Sequence, residues 1–513
     1  MAKLNYPYSL ALLLGICVAI VAYAMPVFPY TPDSACYIEQ ARSFMARGVF
    51  ESGYYGTLDP TASYVPDPLF PPGYPLLIVL FSWLLPVPPE VVALFLSLAA
   101  LALIPAAMLF SFRQLLGDNT VLVISALLMT TPIVIRWGNV ASTDVMSVLL
   151  VIYCMGLVLK AESLKHWGII GLLTGFAYLL RNANLAFIIS IAGWFAWTIL
   201  FEANQRRHRL YCASVWLASF ALVVLPWMFR NWLVFGKIQP YSMPPSTIGV
   251  VENIHAFIEA QLTVLMPLVA VDGFLARNLF GLLILLSVIA VLVVWVLKTW
   301  SLWPKLDQYA LLISTAYCLL GAAIVVAARS KYQWGELIGE RHGLPYLFSL
   351  LVLLAVIFKN ANLAFNKYWL SVPLLAILFG TRVIALPELY AKVFYHVNAV
   401  AVVGQINQHR DTDTLCSHLD GRLGVSNYAF VYRVLCGVPA RHIFPILHGN
   451  DFNDLPIQEL LNLGVTKGMV VSIFPNHDVD KTELPLKQPL IDRLTAAGWH
   501  IEKNEAMGFV LTR

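Results

Sequence analysis

The chain has 513 residues, of which 59% are hydrophobic and only 12% charged, with a mean hydropathy of +0.73 and a formal net charge of +4. An average soluble domain carries about 25% charged residues, so the charge here cannot cover the surface of a soluble protein this long. Composition excludes soluble, disordered, collagen-like and coiled-coil classes and points to a polytopic membrane protein. The small net charge, with no basic stripe interleaved with aromatics, excludes a nucleic-acid partner.

Apolar runs of spanning length occur near 8–29, 91–112, 120–135, 145–159, 167–180, 185–201, 211–229, 278–297, 308–328, 344–358 and 368–387. They predict a mainly α bundle of about eleven transmembrane helices. The first run continues to Phe28 without a small-residue cleavage site, which reads as a span rather than a cleavable leader. A shorter run, 74–86, is fenced by Pro71, Pro72, Pro75, Pro86, Pro88 and Pro89 and is expected to form an interfacial or re-entrant helix. Two connecting loops, 30–90 and 230–277, are long and mix aromatics with charges, as functional loops do.

The charges are unevenly placed. Residues 388–513 hold 24 charged side chains in 126 positions, whereas residues 1–387 hold 38. This divides the chain into a membrane domain, 1–387, and a polar C-terminal domain, 388–513. Short apolar runs such as Met469–Ile473 and Gly508–Leu511, and a helical pattern at Leu490–Ala497, suggest a small α/β domain there. A Cys416–Cys436 disulfide is open if that domain is extracytoplasmic.

With the N-terminus inside, the loops assigned to the cytoplasm hold 11 Lys/Arg and 4 Asp/Glu in 49 residues, and the opposite loops hold 10 and 12 in 137. That bias follows the positive-inside rule. The chain is therefore expected to be a multi-pass protein of the cell membrane, with a cytoplasmic N-terminus and an extracytoplasmic C-terminal domain. Arg206, Arg207, His208 and Arg209 form the strongest single cytoplasmic marker.

Directly after the first span the chain reads Tyr30-Thr31-Pro32-Asp33-Ser34-Ala35-Cys36-Tyr37. A carboxylate at an apolar boundary is costly unless it has a task or a partner. Asp33 is either a general base for a hydroxyl or the N-cap of the helical pattern that follows. Asp144 leads into the fourth span, where its plain reading is a helix N-cap. Arg136 and Arg181 are either membrane-surface anchors or anion ligands. Trp83, Trp137, Trp227, Trp232 and Trp334 fall where an interfacial aromatic belt is expected.

Asp33 followed by Tyr37, Ala41 and Gly48 resembles the start of the GT-C integral-membrane glycosyltransferases. So does Pro71-Pro72-Gly73-Tyr74-Pro75-Leu76-Leu77, which is similar to that superfamily's proline-rich loop before the second span. Arg181-Asn182 resembles an Arg-Pro-Thr-like element. Pro226-Trp227-Met228-Phe229-Arg230-Asn231-Trp232 and the residues to Lys237 resemble the seventh-span exit of the protein mannosyltransferase-related, Rgt-like branch. Glu340-Arg341-His342-Gly343-Leu344-Pro345-Tyr346 resembles a Glu-Arg-Tyr-x-x-Pro element. These matches run in order over roughly residues 8–360, and the C-terminal domain resembles the family's variable domains in position alone.

The resemblance implies transfer of a sugar from a polyprenyl-phosphate-linked donor to an acceptor hydroxyl on a glycan, lipid or protein, at the extracytoplasmic face and among membrane lipids. It implies Asp33 as the catalytic base, with Arg230, Arg341, Lys331, Asp144, Tyr37 and His342 binding substrate. The chemistry suits these residue types. The transition state is oxocarbenium-like, the acceptor hydroxyl must lose a proton, and fixed cations stabilise the charge growing on the leaving phosphate. Two departures stand out. Ser34 occupies the place of a second acid found in many relatives, so Asp33 works alone or is assisted by Glu39, Asp59, Asp67 or Asp144; His342 replaces the usual Tyr. No residues are assigned to a metal, and a divalent cation stays open as a cofactor. The alternative reading is a transporter or lipid flippase, which would place polar groups near the bilayer midplane.

Overall fold

The structure is a computed structural model. It describes residues 6–25, 29–52, 65–241, 245–265, 290–332 and 338–364, and the C-terminal pieces 379–380, 423–426, 433–434, 443–445, 469–472, 492, 495–496, 498, 500–505 and 508–512. The chain forms two compact units. One comprises Met1–Met25, Leu96–Asn139 and Thr143–Val393; the other comprises Pro26–Phe95, Val140–Ser142 and Phe394–Arg513. The expected boundary near 387 and the cysteines 416 and 436 lie outside the described residues.

In chain order the first helices are α1 (Tyr6–Ala24), α2 (Pro32–Arg47), α3 (Gly73–Leu84), α4 (Pro89–Leu116), α5 (Asp118–Met129) and α6 (Pro132–Gly138). They are followed by α7 (Thr143–Lys160), α8 (Leu164–Leu180), α9 (Leu185–Phe201), α10 (Arg206–Phe235), α11 (Val250–Leu265), α12 (Lys305–Lys331) and α13 (Glu340–Ala364). Among the described residues seven helical segments, those of α1, α4, α7, α9, α10, α12 and α13, are long and apolar enough to cross a membrane. The count becomes eight if α5 and α6 together form one broken span. Together with α8, which is apolar but shorter, they match most of the expected runs; the candidate at 368–387 falls almost wholly outside the described residues.

The run 120–135 is not one straight span. It is α5 and α6, bent by 72°. The break sits at Thr131, which is extended (φ −75°, ψ 122°) because the following Pro132 disfavours a helical conformation before it. The Thr130 and Thr131 hydroxyls donate to the Ala126 and Leu127 carbonyls at 2.7 and 2.9 Å, adding side-chain donors to carbonyls in the last turn before the break.

Within the first unit, small residues set how closely helices pack. α8 lies against α10 along Gly171 and Gly175, where a Cβ would come within 2.6 Å of Ser219 and 2.8 Å of Val223. α7 meets α4 at Gly156, opposite Ser111, whose hydroxyl donates to the Ile152 carbonyl at 2.8 Å. Such contacts replace the hydrophobic drive that lipid removes. The outer surface is apolar: α10 leaves Leu217, Leu222, Leu225 and Phe229 more than half exposed. The protein is a multi-span membrane protein.

Charged groups gather at helix ends. Asp307, near the start of α12, accepts from Lys359 and Asn360 of α13 at 2.8 and 2.9 Å. Glu202, after α9, pairs with Arg209 and Lys305 and accepts from the Tyr309 hydroxyl. The opposite ends of α12 and α13 carry Arg329 and Arg341, and Arg181 lies in the turn before α9.

The second unit holds α2, α3 and a two-stranded pair, β1 (Glu51–Ser52) and β2 (Val65–Pro66). α3, read from the sequence as the short helix 74–86, has 12 residues, too few to span. The same unit contains β3 (Leu423–Ser426), β4 (Ile443–Pro445), β5 (Met469–Ser472), β6 (His500–Glu505) and β7 (Gly508–Thr512). They form one mixed sheet in the order β4-β3-β5-β7-β6. Apolar β5 runs parallel to β3 and antiparallel to β7, whereas β6, with His500, Glu502, Lys503 and Glu505, forms an edge. Charges on an edge discourage pairing with other chains.

Candidate active site

In the first unit, three helix ends converge on Asp144. This residue lies in the first turn of α7, and its side chain is fully buried. It is not the helix cap; Arg341, at the start of α13, donates to its Oδ2 through both Nε and Nη2 at 3.3 Å, and Arg181, after α8, donates through Nη1 to its Oδ1. The Arg341 guanidinium also stacks 4.1 Å from the centre of the Trp137 ring, at the end of α6. A fork on a carboxylate and a planar stack are both tasks that Arg performs and Lys does not. Arg181 is brought to Asp144 by an extended backbone (φ −155°, ψ 122°) that ends α8. The turn behind it is braced by Asn184, which donates to the Ala177 carbonyl at 2.7 Å and accepts from Ser147 of α7 at 2.8 Å.

Two guanidiniums thus meet one carboxylate. The carboxylate orients both side chains, and both Arg side chains retain nearly a fifth of their exposure. A group of this kind suits an anion such as a phosphate.

In the second unit, Asp33 sits half-buried in the first turn of α2. It is not the N-cap. Thr31 holds that place in extended conformation and accepts from the Ser34 amide, while the Ser34 hydroxyl accepts from the Thr31 amide at 2.9 Å. Ser34 thereby closes a reciprocal capping box. The cap sets the helix start and points the first turn's amides, with their partial positive charge, toward the Asp33 region. Gly48 ends the helix in the left-handed region (φ 73°), which glycine adopts without a Cβ clash.

Residues 70–228 match the family described as dolichyl-phosphate-mannose-protein mannosyltransferase. No curated protein sequence matches the chain. In structure it is similar to ArnT from Cupriavidus metallidurans bound to undecaprenyl phosphate, with a TM-score of 0.55 and 13% identity over 98% of this chain and 97% of that one. The fold is ArnT-like. ArnT in the apo state gives a TM-score of 0.53 at 13% identity over the same shares of both chains. The archaeal oligosaccharyltransferase AglB from Archaeoglobus fulgidus, in complex with an inhibitory peptide and a dolichol-phosphate, scores 0.47 at 13% identity, over 91% of this chain and 69% of that one.

Within this fold the other expected residues are placed as follows. Tyr37 is buried on α2, edge-on to Phe70 and Tyr74 at 5.0 and 5.3 Å. Arg230, near the end of α10, donates to Asn231 Oδ1 at 2.9 Å and stacks over Trp227 and Phe235. Lys331 is exposed at the end of α12, its ammonium over Tyr332. His342 is buried, and its Nδ1 accepts from the Gly339 amide at 3.1 Å, a capping role at the start of α13. Of the proposed assisting acids, Asp67 accepts from Ser52 and from the amides of Leu69 and Phe70, Glu39 pairs with Arg433, and Asp59 lies outside the described residues.

Among the described residues no three His, Cys, Asp or Glu side chains gather as a metal site. Both oxygens of Asp144 accept from arginines and the Ser34 hydroxyl accepts from a backbone amide, so these residues do not fit a cation. Burial raises the Cys36 thiol well above its ordinary range, against an opposing pull from Arg433, so it stays protonated and is no nucleophile. Sequence reasoning left Arg181 undecided, assigned Trp137 to the belt, and overlooked Asn184 and Arg433. An Arg ending one helix opposite an acid starting the preceding helix offered a signal for Arg181; nothing in the sequence pairs residues as remote as Glu39 and Arg433.

Proposed function

We propose that this chain transfers a sugar from a polyprenyl-phosphate-linked donor to an acceptor hydroxyl of a glycan, lipid or protein at the extracytoplasmic face. The observation that carries this reading is the pair of guanidiniums, Arg181 and Arg341, anchored on buried Asp144. ArnT, which shares the fold, is a protein solved with undecaprenyl phosphate. As the bond to the anomeric carbon lengthens, negative charge grows on the leaving phosphate, and donors already fixed in place stabilise it without reorganisation. Asp33 takes the proton from the acceptor hydroxyl as that oxygen attacks. No observation favours the transporter alternative, since the charged groups described lie at helix ends rather than along the middles of spans.

The test has two arms. Native mass spectrometry with undecaprenyl phosphate as the probe is expected to show at least tenfold weaker binding for Arg181→Ala and Arg341→Ala, but unchanged binding for Lys298→Ala. Equal losses in all three would refute the phosphate role. Cells carrying Asp33→Asn are expected to accumulate the lipid-linked sugar, with transfer reduced about 10²–10⁴-fold, the range of a lost general base. Transfer at the wild-type rate would refute the assignment of the base.

A further inference from the structure

The helix that carries Asp33 is held by groups remote from it in sequence. Glu39, on α2, is buried (2% exposed) and meets the equally buried Arg433 (3%), 394 positions away. Arg433 Nε donates to Glu39 Oε1 at 2.7 Å and its Nη2 to Oε2, a two-pronged pair. One turn on, Arg42 donates through Nη1 and Nη2 to the carbonyls of Arg433 and Val434 at 3.1 and 2.8 Å. The same Nη2 also reaches Glu90 Oε2 at 2.8 Å, at the start of α4. The Glu90 carbonyl in turn accepts from the Tyr30 hydroxyl at 3.3 Å, three residues before Asp33. All of these residues belong to the second unit. The segment bearing Asp33 is therefore tied on both sides, by Tyr30 before it and by Glu39 and Arg42 after it.

Energy alone does not account for such a pair. Burying two charges costs about as much as their attraction returns, so replacement by apolar residues is often neutral. What a two-pronged buried pair does supply is a defined geometry, because losing either partner strands the other charge away from water. Two further points favour a positioning task over simple stability. The Arg433 end is fixed twice, by its own side chain and by Arg42 gripping its backbone. The network also ends on α2 itself, one to three turns from Asp33, and not on a distant face of the unit.

We infer that Arg433 and Glu39 form a clamp by which the C-terminal part of the chain positions the Asp33-bearing helix α2, Arg433 acting as a positioning residue rather than a catalytic one. This rests on the reading of Asp33 as the base. A positioning residue alters the rate at which bound substrate reacts and leaves donor affinity alone.

The full-length protein in nanodiscs tests this with four forms: wild type, Arg433→Ala, Glu39→Gln and the swapped double variant Glu39→Arg/Arg433→Glu. The single variants are expected to lose at least tenfold in kcat with the KM for the lipid-phosphate donor unchanged, and amides 35–47 of α2 are expected to exchange with deuterium faster. The double variant is expected to recover at least a third of the lost kcat. Wild-type kcat and wild-type exchange in Arg433→Ala overturn the clamp. So does a loss that appears equally in KM, since that describes a damaged site and not a misplaced base. If wild type and Asp33→Asn transfer sugar equally, the reading of Asp33 falls, and the exchange rates alone decide whether Arg433 holds α2.

Discussion

Arg341 makes three demands on one side chain: two donors onto Asp144 Oδ2 and a flat stack on Trp137. A lysine retains the charge and loses the fork and the plane. Arg341→Lys is therefore expected to bind undecaprenyl phosphate at least fivefold more weakly, a loss of about 1–2 kcal/mol, comparable with one charge-assisted hydrogen bond. Isothermal titration checks it, and wild-type affinity for the lysine variant would show that a point charge suffices. The sequence carried Arg341 and Asp144 as separate candidates, because each starts a helix beside an apolar run. It did not join them, since their meeting depends on how α7, α8 and α13 end at one place. Ser34 was legible as a missing acid but not as a cap: the reciprocal bond depends on Thr31 being extended, which the letters Thr-Pro-Asp-Ser permit without requiring.

At the scale of elements, hydrophobicity announced the helices well, since α4, α7, α9 and α12 each occupy a run of apolar residues. The averaging that finds such runs hides a break inside one. Pro132 was visible, but the flanking apolar residues on both sides made 120–135 look continuous; the bend belongs to the backbone clash before proline. Helix contacts were likewise invisible, although their means was present as glycine. Gly175→Leu is expected to force α8 and α10 apart, because the new side chain starts 2.8 Å from Val223 Cβ. Overpacking of this order costs about 1–3 kcal/mol, which a thermal melt in detergent should report as a lower Tm. The neighbouring Gly193, with nothing within 4 Å of its Cβ position, should accept alanine with no change in Tm.

For the whole molecule, we propose from the placement of the charges that the N-terminus lies in the cytoplasm, a reading that rests mostly on the Arg206–Arg209 cluster. Arg207→Cys is expected to react with an impermeant maleimide only after the cells are permeabilised; labelling of intact cells would reverse the assigned topology. The scarcity of charge was the most readable property of the chain, and the C-terminal sheet the least, because β3, β4 and β6 show no apolar run that sets them apart. The clamp between Glu39 and Arg433 has a consequence in time. Its two ends leave the ribosome 394 residues apart, which at about 5–20 residues per second is a wait of about 20–80 s. During that interval Glu39 lacks the two-pronged contact that Arg433 supplies. A chain that stops before Arg433 never closes the clamp, so truncated copies should expose α2 and be cleared by proteases. The clamp on α2 thus closes only after synthesis has passed Arg433.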